Sequence, residues 1–303
     1  MLSLWAAISP SHRRLWLAAI KPPMYSVAVM PIIVGTAIAW AETDSFRSKI
    51  FVAFLFASIA ILFWLNSSND ALDAATGIDR NKPHSLANLT GRADLVLLVA
   101  NLSLVSGLSS LGAIAWWQRD FTVLAVIALC CALGYAYQGP PFRWGYRGWG
   151  EPICFVTFGP LAVEAAYYSQ TQSWSWVALW ASGVVGVATT LILFCSHFHQ
   201  LEDDAAAGKR SPIVQLGTAR AAQLVPWMAG TLFALTGLGI VSMVFPWQTA
   251  IVGLSFPPAW KLNSLIRLHH ANPARVNHSK FIAVSLHFWS CALLGVGFAL
   301  SRL

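Results

Sequence analysis

Asn66, Asn69, Asp70 and Asp73 follow an apolar run over residues 50–65, at spacings of i, i+3, i+4 and i+7. If the helix continues through them, the four polar groups share one face. Gly77 is expected to end that helix, and Asp79, Arg80 and Lys82 to follow in a loop closed by Pro83. A second acidic cluster, residues 197–204 (HFHQLEDD), leads in the same way into Gly208, Lys209 and Arg210. Two carboxylate groups facing one another across a cavity hold hard cations, and magnesium in particular is shared with substrate phosphates. Asp70, Asp73 and Asp79 would form one shell, and Asp203 and Asp204, with Glu202 beside them, the other. Lys82, Arg143, Lys209 and Arg210 would take phosphate oxygens, Arg as a planar fork and Lys as a point charge. Metal and cations together stabilise a departing diphosphate.

The bland alternative is that both clusters are ordinary polar helix ends. Carboxylates at a helix C-terminus oppose the helix dipole, and in a membrane they are costly. Finding them at two expected helix ends favours bound cations. For Asn66 the competing reading is a cap or an interhelical hydrogen bond. For His197 and His199, around Phe198, it is packing.

These residues must be positioned by membrane helices. The chain has 303 residues, of which 57% are hydrophobic and 10% charged, with mean hydropathy +0.61. A soluble domain carries about 25% charged residues. The runs 95–117, 174–195 and 224–244 are each long enough to cross a ~30 Å hydrocarbon core as a helix. The expected fold is all-α and polytopic, with about nine helices near residues 17–40, 50–74, 94–117, 121–138, 150–168, 174–201, 218–244, 246–267 and 280–300 around a central cavity. One integral-membrane domain spans 1–303. The N-terminal segment, with an early Pro and an Arg pair, is expected to be mature protein rather than a cleaved leader. Of the 15 Trp residues, Trp116, Trp117, Trp174 and Trp176 lie near expected helix ends and suit interfacial anchoring.

All Lys and Arg except Arg47, Lys49, Arg119 and Arg302 fall on the side of the N-terminal arm and the links after helices two, four, six and eight, which hold most of them. By the positive-inside rule that side is cytoplasmic, in a plasma or thylakoid membrane. A charge of +7 spread over these links forms no single patch, so nucleic acid is not an expected partner. His269, His270 and His278 sit in a basic link and are expected in solvent or near lipid headgroups. The five cysteines lie mostly in apolar runs without metal-ligand spacing and read as small fillers. Glu164 is expected near the opposite interface. The link after helix four carries Tyr135, Tyr137, Pro140, Pro141, Arg143, Trp144, Tyr146 and Trp149. Its aromatic faces suit either an interfacial belt or the stabilisation of a carbocation.

The run NDALDAATGIDRNKPHSLANLTG resembles the first aspartate-rich motif of the UbiA superfamily of intramembrane aromatic prenyltransferases, most closely the branch acting on 1,4-dihydroxy-2-naphthoate. HFHQLEDDAAAGKRSPIVQLGT is similar to the second motif, LWLAAIKPPMYSVAVMPIIVGTAIA to the first helix, and GYAYQGPPFRWGYRGWGEP to the tyrosine and proline loop. The resemblance implies a cavity opening sideways to lipid, two magnesium ions, and phytyl or polyprenyl diphosphate as donor. It implies that Asn69, Asp70, Asp73 and Asp79 bind metal and diphosphate, with Asp204 in the second motif. Lys21 and Arg143 fall at basic positions of the family. Many relatives have aspartate where this chain has Gln200, which leaves open which of Glu202, Asp203 and Asp204 completes the second shell. The implied reaction is an electrophilic aromatic substitution. Tyr135 or Tyr137 would shield an allylic cation, and His197, His199, Gln200 and Asn66 would contact the acceptor. Two alternatives stand beside it: another aromatic acceptor, such as homogentisate or 4-hydroxybenzoate, and a membrane transporter.

Overall fold

The computed structural model describes residues 10–76 and 85–302, so Asp79, Arg80 and Lys82 lie outside the described residues. Among these residues there are helices and no strands. In chain order the α-helices are α1 (Pro10–Ile20), α2 (Ser26–Thr43), α3 (Ser48–Thr76), α4 (Leu86–Thr90), α5 (Ala93–Gln118), α6 (Thr122–Gln138), α7 (Gly150–Val156), α8 (Ala162–Thr171), α9 (Trp176–Ser196), α10 (Leu201–Ala206), α11 (Pro212–Leu216), α12 (Thr218–Val241), α13 (Phe256–His269), α14 (Pro273–Val276) and α15 (Ser279–Leu300). A π turn, Thr157–Leu161, joins α7 to α8, and a 3-10 segment, Trp247–Ser255, leads into α13. Within the described residues, six segments are long and apolar enough to cross a membrane, where the sequence suggests about nine; α6 is a shorter apolar helix. Helices satisfy most backbone groups within the segment, which is what hydrocarbon requires of a spanning element. The chain is an integral membrane protein.

Short links reverse the chain, so the polar groups collect at two ends. At one end the Arg47 amide donates to Gln170 Oε1 (2.8 Å), Tyr168 to Asp120 Oδ2 (2.8 Å) and Ser175 Oγ to Glu42 Oε2 (2.9 Å). Ser175 also caps α9, accepting from the amides of Val177 and Ala178. Glu164 lies at this end, near the Ser175 amide, as expected. The opposite end holds both acidic clusters. Between them, Gly35 lets α2 meet α8 backbone to backbone: a Cβ there would stand 2.4 Å from the Val163 carbonyl oxygen.

The structure corrects the expected boundaries at two places that matter for the site. The first expected helix, 17–40, is broken. Lys21 adopts a left-handed conformation (φ 55°, ψ 52°) and opens a 3-10 turn, Pro22–Tyr25, before α2 begins. Pro22 and Pro23 lack amide donors, so an unbroken helix would lose hydrogen bonds here. The sixth expected helix, 174–201, stops at Ser196, and Glu202, Asp203 and Asp204 occupy the first turn of the separate helix α10. Those carboxylates therefore sit where a helix dipole favours them, so the dipole penalty inferred from sequence applies only to the first cluster.

Candidate active site

Helix α3 carries its acidic face beyond the apolar core, as the i, i+3, i+4, i+7 spacing requires. Asp70 is 1% exposed. Its Oδ1 accepts from Lys21 Nζ at 3.0 Å and its Oδ2 from the Leu86 amide at 3.1 Å. One carboxylate thus joins α3, the break before α2 and the start of α4. Three residues on, Asp73 Oδ1 accepts from the Tyr146 hydroxyl at 2.9 Å, and Asn69 Nδ2 donates to Asp73 Oδ2. Asn66, one turn deeper, lines the cavity with its Nδ2 buried and unbonded among the described residues.

The second cluster meets the first through Tyr146. Asp204, also 1% exposed, pairs through Oδ2 with His197 Nδ1 (2.9 Å) and through Oδ1 with Lys209 Nζ (3.2 Å). The Lys209 ammonium lies 5.9 Å from the centre of the Tyr146 ring, and the Arg210 amide donates to the Tyr146 carbonyl at 2.8 Å. Asp73, Tyr146, Lys209 and Asp204 are therefore consecutive neighbours, which links the two clusters. On the other edge of His197, Nε2 stands 3.4 Å from Glu151 Oε1, close enough for ion pairing but without hydrogen-bond geometry. Burial opposes the charged imidazole of His197, but the carboxylates of Asp204 and Glu151 outweigh it and raise its pKa above the ordinary value. Burial likewise opposes the Asp204 carboxylate, and His197 and Lys209 prevail to hold its pKa below the ordinary range.

Beneath the clusters lies a cavity of about 270 Å³, with mainly apolar walls that include Phe54, Ile61, Leu65 and Ile192. Asn66, Asn69, Tyr137, Gln138 and Lys280 supply polar groups to its lining. Tyr137 is held by glycines: a Cβ on Gly145 would stand 2.7 Å from its ring, and one on Gly150 would stand 3.0 Å away. The structure separates the two tyrosines that the sequence left as alternatives. Tyr135 is 41% exposed, absent from the cavity wall, and donates its hydroxyl to the Pro140 carbonyl at 2.8 Å. The carbocation-shielding role expected for either tyrosine therefore fits Tyr137.

The other expected residues fall in graded positions. Arg143 is left-handed (φ 42°), has a buried Nε unbonded among the described residues, and lies 5.9 Å from the Tyr146 ring. Arg210 and Asp203 are exposed, and neither side chain forms an ion pair among the described residues. His199 and Gln200 are half-buried in the turn between α9 and α10, where the Gln200 carbonyl accepts the Asp204 amide at 2.8 Å. Sequence reasoning missed Tyr146 and Glu151 as site residues. The only signal was the Gly-rich spacing of GYRGWGEP, which gives an aromatic and an acid close backbone approach to neighbouring elements.

The donor set suits a divalent cation shared with substrate. Buried carboxylate oxygens arrive from two sides, yet among the described residues no three His, Cys, Asp or Glu groups converge as a closed metal cage. Magnesium is commonly held by one or two carboxylates together with substrate phosphates. Lys21 and Lys209 now neutralise the acids.

Comparison with known proteins identifies the family. The model of the UbiA prenyltransferase family matches residues 28–294. The chain is 50% identical over 290 residues to the 2-carboxy-1,4-naphthoquinone phytyltransferase of Synechocystis, covering 96% of this chain and 94% of that one. It is 38% identical over 301 residues to the chloroplastic enzyme of the same name from Arabidopsis thaliana, covering 97% and 78%. The structure of a UbiA homolog from Archaeoglobus fulgidus bound to GPP and Mg2+ superposes with a TM-score of 0.63 at 15% identity, covering 95% of this chain and all of that one. From the first motif to the last helix, the chain belongs to the UbiA prenyltransferase family.

Proposed function

We propose that this enzyme transfers a phytyl group from phytyl diphosphate to 1,4-dihydroxy-2-naphthoate, releasing diphosphate and carbon dioxide. The observation that carries this reading is the run of neighbours from Asp73 through Tyr146 and Lys209 to Asp204, beside an apolar cavity that Asn66 and Asn69 of the Asp73 helix line. Relatives named for 2-carboxy-1,4-naphthoquinone support the acceptor. That quinone is the two-electron oxidised form of the proposed acceptor, and only the electron-rich hydroquinone ring attacks a carbocation readily.

Asn69, Asp70, Asp73 and Asp204 would hold magnesium, which when bound supplies Lewis-acid stabilisation of the leaving diphosphate. Lys21 and Lys209, released from their carboxylates, bind diphosphate oxygens as point charges. Arg143 adds a planar donor. The allylic C–O bond breaks and diphosphate leaves with the electron pair. Tyr137, fixed by Gly145 and Gly150, presents its π-face to the allylic cation. The apolar wall excludes water that would otherwise trap the cation. The ring carbon bearing the carboxylate then forms the new C–C bond. The bond to the carboxylate breaks, its electrons restore the aromatic ring, and carbon dioxide departs. No proton transfer is needed for this balance. His199 would contact the acceptor's carboxylate or hydroxyls, whereas His197, expected from sequence to do the same, is buried between Asp204 and Glu151 and would instead orient the Asp204 carboxylate. The polar end faces the cytoplasm, by the distribution of Lys and Arg.

Full-length protein in detergent, given phytyl diphosphate, magnesium and the acceptor kept reduced, should yield prenylated naphthoquinol and labelled carbon dioxide from carboxyl-labelled acceptor. Absence of product with a folded protein would overturn the reading. Product with homogentisate or 4-hydroxybenzoate, but not the naphthoate, would move the acceptor.

A further inference from the structure

No Asp or Glu follows Asp204, whereas Lys and Arg continue to the C-terminus. This acid-free third of the chain contains a second hollow, a groove of about 650 Å³ between α12 and α13. Its lining comes from the first turns of α12 and the later turns of α13, so the groove begins at the end of the molecule that holds the acidic clusters. The mouth carries Arg267 and His270, whose Nδ1 is joined to Thr218 Oγ1 at 3.0 Å. Gln223 and Asn263 follow, and the floor is Pro226 and Trp227. From Ala219 to Trp227 the helix descends about 12 Å, at 1.5 Å per residue. Trp227 is 76% exposed, on a helix long and apolar enough to cross a membrane. Arg267 is exposed and forms no ion pair among the described residues. Pro226 removes the amide that the Ala222 carbonyl would otherwise accept in the helix, placing an acceptor in the same wall.

We propose that this groove binds the headgroup of an anionic phospholipid, with its phosphodiester at Arg267 and His270 and an acyl chain against Pro226 and Trp227. The chemistry runs cation, amides, then apolar surface along one axis, which matches an amphiphile standing in a leaflet. Charge selects the anionic class, because no carboxylate lines the groove to receive a choline or ethanolamine. The groove is separate from the prenyl-transfer cavity, and its occupancy does not depend on which acceptor that cavity takes.

The test uses the full chain, delipidated in detergent, with short-chain phosphatidylglycerol as probe and phosphatidylcholine as control. Binding is read by native mass spectrometry and by the shift in thermal midpoint. Phosphatidylglycerol should bind as a saturable single adduct and phosphatidylcholine should not. Arg267→Gln should weaken the adduct roughly fivefold, the worth of one cation at an anionic surface. Arg275→Gln, outside the groove lining, should not. Equal binding of phosphatidylcholine, equal losses in both variants, or displacement by inorganic pyrophosphate would each overturn the proposal. Prenyl transfer by Arg267→Gln in pure detergent should match wild type.

Discussion

The pairing of Lys21 with Asp70 can be weighed by a double-mutant cycle. Asp70→Asn keeps an oxygen for the Leu86 amide but leaves Lys21 facing a neutral amide. Lys21→Met leaves a carboxylate that is 1% exposed without its ammonium partner, while the Leu86 amide still donates to it. Removing one partner of a fully buried ion pair costs about 3–5 kcal/mol, because the survivor stays uncompensated. The Lys21 side chain retains 22% exposure, so Asp70→Asn should lie nearer ~2 kcal/mol and Lys21→Met nearer ~3 kcal/mol. The double variant removes both charges and should cost no more than the worse single one, giving a coupling of roughly 2 kcal/mol. Thermal unfolding in detergent, followed by tryptophan fluorescence, measures all four proteins without metal. Strict additivity, with coupling below about 0.5 kcal/mol, would refute the claim that this lysine neutralises the acid. Prenyl transfer should be lost in both Asp70 variants. Asp70→Ala should also be destabilised, since the Leu86 amide loses its acceptor.

Other outcomes follow from the same contacts. Tyr146→Phe removes the hydroxyl on Asp73 but keeps the ring beside Lys209, so kcat/KM should fall about tenfold, the worth of ~1.5 kcal/mol from a hydrogen bond to a charge. Tyr146→Leu, which also loses the ring, should fall further; equal rates in the two variants would remove any role for the ring. Gly145→Ala drives a methyl into the Tyr137 ring and should cost about 1–3 kcal/mol of stability together with turnover, while Gly112→Ala, where a Cβ has open space, should do neither. Asp73→Asn should abolish the thermal upshift produced by magnesium with a non-hydrolysable diphosphate, a readout independent of turnover. Hydrogen bonds from Thr122, through side chain and backbone, and from Tyr168 hold the Asp120 carboxylate below its usual range. Its stabilisation is present above the ordinary aspartate pKa and is lost as pH falls through the lowered value. The stability gap between wild type and Asp120→Asn should therefore close in acid, and a gap constant with pH would contradict this.

Much of the architecture was legible because hydrocarbon allows few alternatives: apolar runs of the right length must be helices, and cations mark one end. The i, i+3, i+4, i+7 spacing put Asn66, Asn69, Asp70 and Asp73 on one helix face, because α3 really does continue beyond its apolar stretch. The break at Lys21 was harder to read. A single Pro, such as Pro31 in α2, passes inside a helix, and only the pair at 22 and 23 forces a turn. The separation of α9 from α10 was hidden too, since HFHQ has no strong breaker. Which tyrosine faces inward could not be read from a two-residue spacing, because a helix turns 200° between them. The contact of Glu151 with the His197–Asp204 pair joins the first turn of α7 to a distant part of the chain, and no local pattern announces it.

The seating of Tyr137 bears on how such a site could be retuned. With backbone on two sides, this ring has little freedom to shift when a larger or smaller guest arrives. Accommodation is left to other lining positions, among them Ala28, Pro31 and Ala162, which put short side chains against the hollow. Bulky replacements there would narrow the compartment without displacing the Tyr137 ring, making α2 and α8 a natural ruler for the length of the guest.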